Sequence, residues 1–196
     1  MDKKRLVVGI DEVGRGPLAG PVAVGAFIVH KKIQLPIKDS KKLTEKQREI
    51  WYEKICEWRK EWKCDFCVTM VSAKIVDKIG LSKAIQKALN KSLNLVLPKS
   101  HDSAKRVKVL LDGGLRAPAE FKNQKTIIKG DEKEPVIALA SIVAKVMRDR
   151  YMKKIAKKYP QYYFEIHKGY GTKKHYIALK KYGISPLHRK SFLKNL

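Results

Sequence analysis

Two apolar, β-branched runs stand close together near the start of the chain, "VVGID" and "PVAVGAFIV", with "EVGRGPLAG" between them. Runs of this make-up read as strands and not as helices. Gly14, Gly16 and Gly20 supply the backbone freedom of a turn. Residues 5–12 and 20–30 are therefore expected to form two strands joined by a glycine turn, which commits the fold to a sheet. The charge on this hairpin is unusual. Asp11 and Glu12 sit side by side where the first strand ends, just ahead of Gly14-Arg15-Gly16. The dinucleotide-binding pattern G-x-G-x-x-G is not met, because the third glycine comes one residue late and a strand follows it. With no helix N-terminus there is no ready cradle for phosphate, and two carboxylates would repel a bare one. Two readings stay open on this stretch. The acids hold hard divalent cations through oxygen, or the stretch is a strand–turn–strand with a solvated acidic end.

Downstream, strands and helices alternate. Thr44 with Gln47 makes a capping-box pattern. The helix it opens carries Trp51, Ile55, Trp58 and Trp62 on one expected core face. "CDFCVTMV" reads as a third strand. Ser72 is placed to cap a short helix, and "SKAIQKALNKSLNLVL" forms another with Ala84, Ile85, Ala88 and Leu89 inward, ending before Pro98. "RVKVLLDGG" is a fourth strand ending in Asp112, and "KTIIKGD" a fifth ending near Asp131. Pro135 suits the first turn of a long helix. Thr172 suits the cap of "KKHYIALKKY", which stops at Gly183. Asp149 is expected in a helix-surface ion pair, and His101 and His175 at the surface. The pattern predicts one α/β domain with a mixed sheet over residues 1–196, with a short basic tail from about 184.

The chain is long enough to bury a substantial core. It carries 44 Lys and Arg against 19 Asp and Glu, a formal charge of +25 spread along its whole length. A folded domain so basic points to a polyanion, nucleic acid first. No basic amphipathic anchor is visible, no apolar run approaches the ~20 residues of a spanning helix, and no cleavable signal precedes the first strand. A soluble, cytoplasmic protein away from membranes is expected. Cys64 and Cys67 form C-x-x-C without a second pair, on a strand and not at a helix start. With Cys56 they are expected to be packed thiols of a reducing compartment.

Asp11, Glu12, Asp112 and Asp131 all fall at or just beyond the ends of strand-like runs, the edge where open α/β sheets place their sites. Carboxylates gathered there would repel one another. With two divalent ions the arrangement becomes favourable and suits phosphoryl transfer, and Mg²⁺ or Mn²⁺ suits an all-oxygen site. Neighbouring strand residues point to opposite faces. Either the strand breaks between Asp11 and Glu12, or one of them acts through its backbone carbonyl.

The segments "GIDEVGRGPLAGPV", "DSKKLTEKQRE", "LLDGG", "KGDEKEPVIALASIVAKVMRDRYM", "HKGYGTKKH" and "HRKSF" occur in the order of the ribonuclease HII family, which the chain resembles over nearly its whole length. The resemblance implies a ribonuclease H-like fold, a mixed five-stranded sheet flanked by helices. It implies a metal-dependent endoribonuclease that cleaves the RNA strand of RNA–DNA hybrids and cuts 5′ of ribonucleotides embedded in duplex DNA, leaving a 3′-hydroxyl and a 5′-phosphate. The family's four acidic ligands of a two-ion Mg²⁺ or Mn²⁺ site fall on Asp11, Glu12, Asp112 and Asp131. Its ribose-reading element falls on Gly14, Arg15 and Gly16, and its tyrosine at the RNA–DNA junction on Tyr170. Ser40, Lys41, Lys42, His167 and Lys168 become candidate substrate contacts, and a monomer is expected. Two departures stand out. "KGDEKEP" carries extra acids, and the chain ends soon after "HRKSF", where many relatives continue. Other metal nucleases of this fold would not need the Gly-Arg-Gly element. The sister type, ribonuclease HIII, normally has an N-terminal substrate-binding domain for which there is no room here. A non-catalytic basic binder would explain the charge but not four acids at strand ends.

Overall fold

The computed structural model describes residues 6–31, 43–97 and 103–193. Strands β1 (Leu6–Val13) and β2 (Val22–Val29) pair antiparallel, from Val7 opposite Val29 to Val13 opposite Ala23. Beyond β2 lies β3 (Cys64–Val71), also antiparallel. On the other side β4 (Val107–Asp112) runs parallel to β1, and β5 (Gln124–Ile127) parallel to β4. The sheet is mixed and five-stranded, in the order β3-β2-β1-β4-β5.

Alternation along the strands sorts two cores. Val8, Ile10, Val24, Ala26, Val109 and Leu111 pack with α3 (Leu81–Val96), beside the short α2 (Ala73–Ile79). Phe27 and Leu110 face the other way, onto α1 (Glu45–Lys60) and α6 (Pro135–Ala156). Strand glycines bring α6 very close. A Cβ on Gly9 would lie 2.2 Å from the Val136 carbonyl oxygen, and one on Gly25 would lie 2.4 Å from that of Ala140. A short α4 (Ser103–Arg106) leads into β4. A third core gathers Leu18, Ala19, Met152, Tyr162, Phe164 and Leu179. There the end of α6 meets α7 (Phe164–His167), α8 (Lys173–Tyr182) and the loop after β1.

The capping box of Thr44 and Gln47, the Thr172 cap and Pro135 at the start of α6 are all present. Other expectations need correction. Trp62 is not on the core face of α1: it lies beyond the helix end in a left-handed conformation and is 79% exposed. Ser72 stands at the N-cap, but its hydroxyl makes no capping bond. The fifth strand stops at Ile127, because Lys129 turns left-handed, so Asp131 sits in the one-turn helix α5 (Gly130–Lys133). Asp149 does pair with Arg48, at 3.8 Å, but Asp149 is buried and the Arg48 side chain is largely covered. His175 is wholly buried. His101, Ser40, Lys41 and Lys42 lie outside the described residues. The three cysteines are free, and burial pushes the Cys64 thiol up to about 12. Among the described residues no helix is long and apolar enough to cross a membrane.

Candidate active site

Ile10 opposite Leu111 is the last parallel pair between β1 and β4, so Asp11 and Asp112 follow side by side. Their strand parity turns both toward α6. There Ser141 lies close enough to the Asp11 carboxylate to favour its ionised form. The Glu12 backbone N–H donates to Asp11 Oδ1 at 2.8 Å. Burial pushes the Asp11 carboxyl up to about 8; Ser141 opposes this, and the nearby charges of Asp112 and Glu12 add to it. Asp112 Oδ1 accepts the Gly130 N–H at 2.6 Å, which ties the end of β4 to the turn carrying the buried Asp131.

Strand β1 stays regular through Val13. A strand break is thereby excluded as the way Asp11 and Glu12 could serve one site. Glu12 Oε1 bonds Arg15 at 3.0 Å, while Oε2 is buried without a partner. Burial raises the Glu12 pKa and the Arg15 guanidinium opposes the rise. Among the described residues no three potential ligands converge into a ready-made metal cluster. The donor set nevertheless suits a hard cation. It is all oxygen, and Asp11 and Asp112, turned to the same face of the sheet, press like charges together.

Beside the acids two loops from distant parts of the chain meet. Gly14 adopts φ +86°, and a Cβ there would lie 2.3 Å from Arg148 Nε. Gly169 adopts φ +89°, where a Cβ would lie 2.3 Å from the Ala19 carbonyl oxygen. The Gly169 carbonyl accepts the N–H groups of Leu18 and Ala19 at 2.8 and 3.2 Å. The Tyr170 ring thereby stands next to Gly16, 3.9 Å from where a Cβ would be. Tyr170 is 41% exposed, and the Arg15 side chain is also exposed.

His167 and Lys168 lie in the interior of this loop. His167 Nε2 donates to the Tyr162 carbonyl at 2.8 Å and Nδ1 accepts the Gly169 N–H at 3.2 Å. Lys168 Nζ donates to the Glu165 carbonyl at 2.5 Å and lies 3.5 Å from Glu45. Both side chains are committed to shaping the loop.

Sequence reasoning missed Ser141, Arg148 and the buried histidines. Ser141 gives no signal until the register of β1 against α6 is known. Arg148 does give one, since Ala144, Arg148 and Met152 follow at helical spacing on a buried stripe.

Buried carboxylates at the ends of the central parallel strands of such a mixed sheet define the ribonuclease H-like hydrolases. The family model for ribonuclease HII matches residues 8–195. A ribonuclease HII from Endomicrobium trichonymphae is 47% identical over 95% of this chain and 84% of its own length. One from Caldicellulosiruptor bescii is 45% identical over 98% and 88%. The ribonuclease HII of Archaeoglobus fulgidus, solved in complex with PCNA, superposes with a TM-score of 0.73 at 26% identity, covering 94% of this chain and 93% of that one. The chain belongs to the ribonuclease HII family and is an endoribonuclease of the ribonuclease H type.

Proposed function

We propose that this chain is a single, monomeric catalytic domain of the cytoplasm. It hydrolyses the RNA strand of RNA–DNA hybrids and cuts duplex DNA 5′ of an embedded ribonucleotide, leaving 3′-hydroxyl and 5′-phosphate ends. One juxtaposition carries the reading. The exposed Tyr170 ring packs beside Gly16, on the loop that leaves β1 directly after Asp11 and Glu12. A group that can read a ribose thus stands against the loop that continues from the first two acids.

The carboxylates of Asp11, Asp112 and Asp131, with Glu12 acting through its backbone carbonyl, would hold Mg²⁺ or Mn²⁺. Bound there, such ions would activate an attacking water at neutral pH and would stabilise the leaving oxygen. The chain's own groups do the rest. The Glu12 amide fixes the Asp11 carboxylate, beside Ser141, and the Gly130 amide fixes that of Asp112. Backbone groups of Gly14, Arg15 and Gly16 approach the ribose without side-chain obstruction. The Tyr170 phenol bonds the 2′-hydroxyl, the group that separates RNA from DNA, while its ring stacks on the sugar. The formal charge of +25 holds the phosphate backbone.

The test is incubation with duplex DNA containing one ribonucleotide, with and without Mg²⁺, mapping the cut. A single metal-dependent cut on the 5′ side of the ribonucleotide is expected. Cleavage of all-deoxy duplex at the same rate would overturn the reading.

A further inference from the structure

The motif "HRKSF" has no part in the chemistry above, yet Arg189 within it is wholly buried, as is Arg148 on α6. Among the described residues neither guanidinium forms a salt bridge with a carboxylate. A buried charge with no carboxylate in direct contact is costly unless its donors are satisfied. Here the partners are backbone carbonyls. Arg189 donates to Gly14 at 2.7 Å, Arg15 at 2.9 Å and Gly20 at 3.0 Å. Arg148 donates to Pro21 at 2.9 Å, Lys168 at 3.1 Å and Ala19 at 3.4 Å. The two arginines bind the loop between β1 and β2 from beneath, and Arg148 joins it to the Tyr170 loop.

This has a consequence for what the loop shows to the outside. In a trans peptide the C=O and N–H point in opposite directions, and no cis bond occurs among the described residues. Arg189 draws the carbonyls of Gly14 and Arg15 inward, so the N–H groups of Arg15 and Gly16 point outward. No acceptor among the described residues takes either amide. Both stand beside Tyr170, and the fixed positive charge beneath strengthens them as donors.

Arg189 is itself held in place. Its backbone N–H donates to the Leu18 carbonyl at 2.8 Å. Asp77 on α2 accepts the next two amides, those of Lys190 at 2.8 Å and Ser191 at 3.0 Å. Phe192 packs against the guanidinium, 5.2 Å from its ring centre.

We infer that Arg189, assisted by Arg148, is a positioning residue for ribose recognition: it inverts the Gly14-Arg15-Gly16 backbone so that two amide donors face the 2′-hydroxyl and its neighbouring phosphate. The inference rests on the proposed reading of ribonucleotides. Lysine cannot replace this arginine, since one ammonium cannot reach three carbonyls in a fixed fork.

The experiment compares binding, without added metal, to two duplexes that differ by one 2′-hydroxyl, for wild type, Arg189→Lys and Arg189→Met. Wild type is expected to bind the ribonucleotide duplex several-fold more tightly. Both variants should bring that ratio close to one, with a much smaller loss of affinity for the all-deoxy duplex than for the ribonucleotide duplex. A variant that is less heat-stable but keeps the wild-type ratio would overturn the inference, because Arg189 would then be merely structural. If neither variant folds, amide NMR of the wild type decides. The Arg15 and Gly16 signals should shift further with the ribonucleotide duplex than with the all-deoxy one, and equal shifts would overturn the inference. A wild type with a ratio of one would instead remove the proposed ribose reading, a distinguishable failure.

Discussion

Asp11 and Asp112 occupy equivalent positions on neighbouring parallel strands, and each has a donor of its own, the Glu12 amide for one and the Gly130 amide for the other. Asp112→Asn keeps an oxygen for the Gly130 N–H and removes a like charge from beside Asp11. Cleavage in Mg²⁺ should fall by orders of magnitude while thermal stability holds or rises slightly. Near-normal turnover would take Asp112 out of the ligand set. Tyr170 separates two contributions. Tyr170→Phe should keep duplex binding but lose most cleavage at an isolated ribonucleotide, and Tyr170→Ala should lose more, because stacking goes too. Cleavage rates on one embedded ribonucleotide, beside affinities for the same duplex, check both variants, and an alanine variant as fast as wild type would eliminate Tyr170 as the reader. The placing of the acids at strand ends was legible because charge at the end of an apolar run is a local signal, whereas Tyr170 stands out only through the resemblance to the family. Ser141, Arg148 and Arg189 act across more than a hundred residues of chain, and only the three-dimensional register reveals their partners.

Strand glycines set the distance between sheet and long helix, and that distance places Ser141 over Asp11. Gly25→Ala puts a methyl 2.4 Å from the Ala140 carbonyl oxygen and 3.1 Å from the Ala144 Cβ. Neither can yield without α6 lifting from the sheet, so a cost of about 1–3 kcal/mol is expected, as for other overpacked cores. Urea unfolding measures that loss. Cleavage should fall as well, because lifting α6 withdraws Ser141; an unchanged urea midpoint would show that the helix adapts freely. The elements themselves were largely readable. β3 has the limits expected, and α3 buries Ala84, Ile85, Ala88 and Leu89 as its periodicity implies. The misreadings came where backbone conformation overrides pattern. Lys129 and Trp62 both adopt positive φ, which ends β5 early and swings the indole away from the core. Asp149 and His175 were assigned to the surface on residue type alone, and packing of α1 on α6 and of α7 on α8 buries them instead.

At the scale of the whole molecule, the segment before "HRKSF" is joined to the Tyr170 loop by a relay of buried histidines. Ser185 N–H donates to His188 Nδ1 at 2.8 Å, which leaves the proton on Nε2. That proton is donated to His175 Nε2 at 3.0 Å, and His175 Nδ1 donates in turn to the Tyr170 carbonyl at 2.9 Å. The ring of His167 stacks on His175, with centroids 4.4 Å apart. Every imidazole must be neutral for this order of donors and acceptors to hold. Burial pushes His167 and His188 down to about 4, and it lowers His175 as well. A histidine whose folded pKa lies below its unfolded value near 6.5 binds fewer protons in the native state. Its stabilising contribution is complete above pH 6.5 and declines as pH falls toward 4. Each added proton also enters a molecule already at +25. Asp11, with its raised pKa, acts in the opposite sense, since its protonated form is the one the fold favours. A comparison of two variants that both keep Asp11 cancels that contribution. His188→Gln retains a side-chain donor toward His175 but cannot titrate. It should be less stable than wild type at pH 7, and the gap should narrow as pH is lowered from 6.5 to 4.5 in urea unfolding. A gap that stays constant across that range would mean that His188 does not couple protonation to folding.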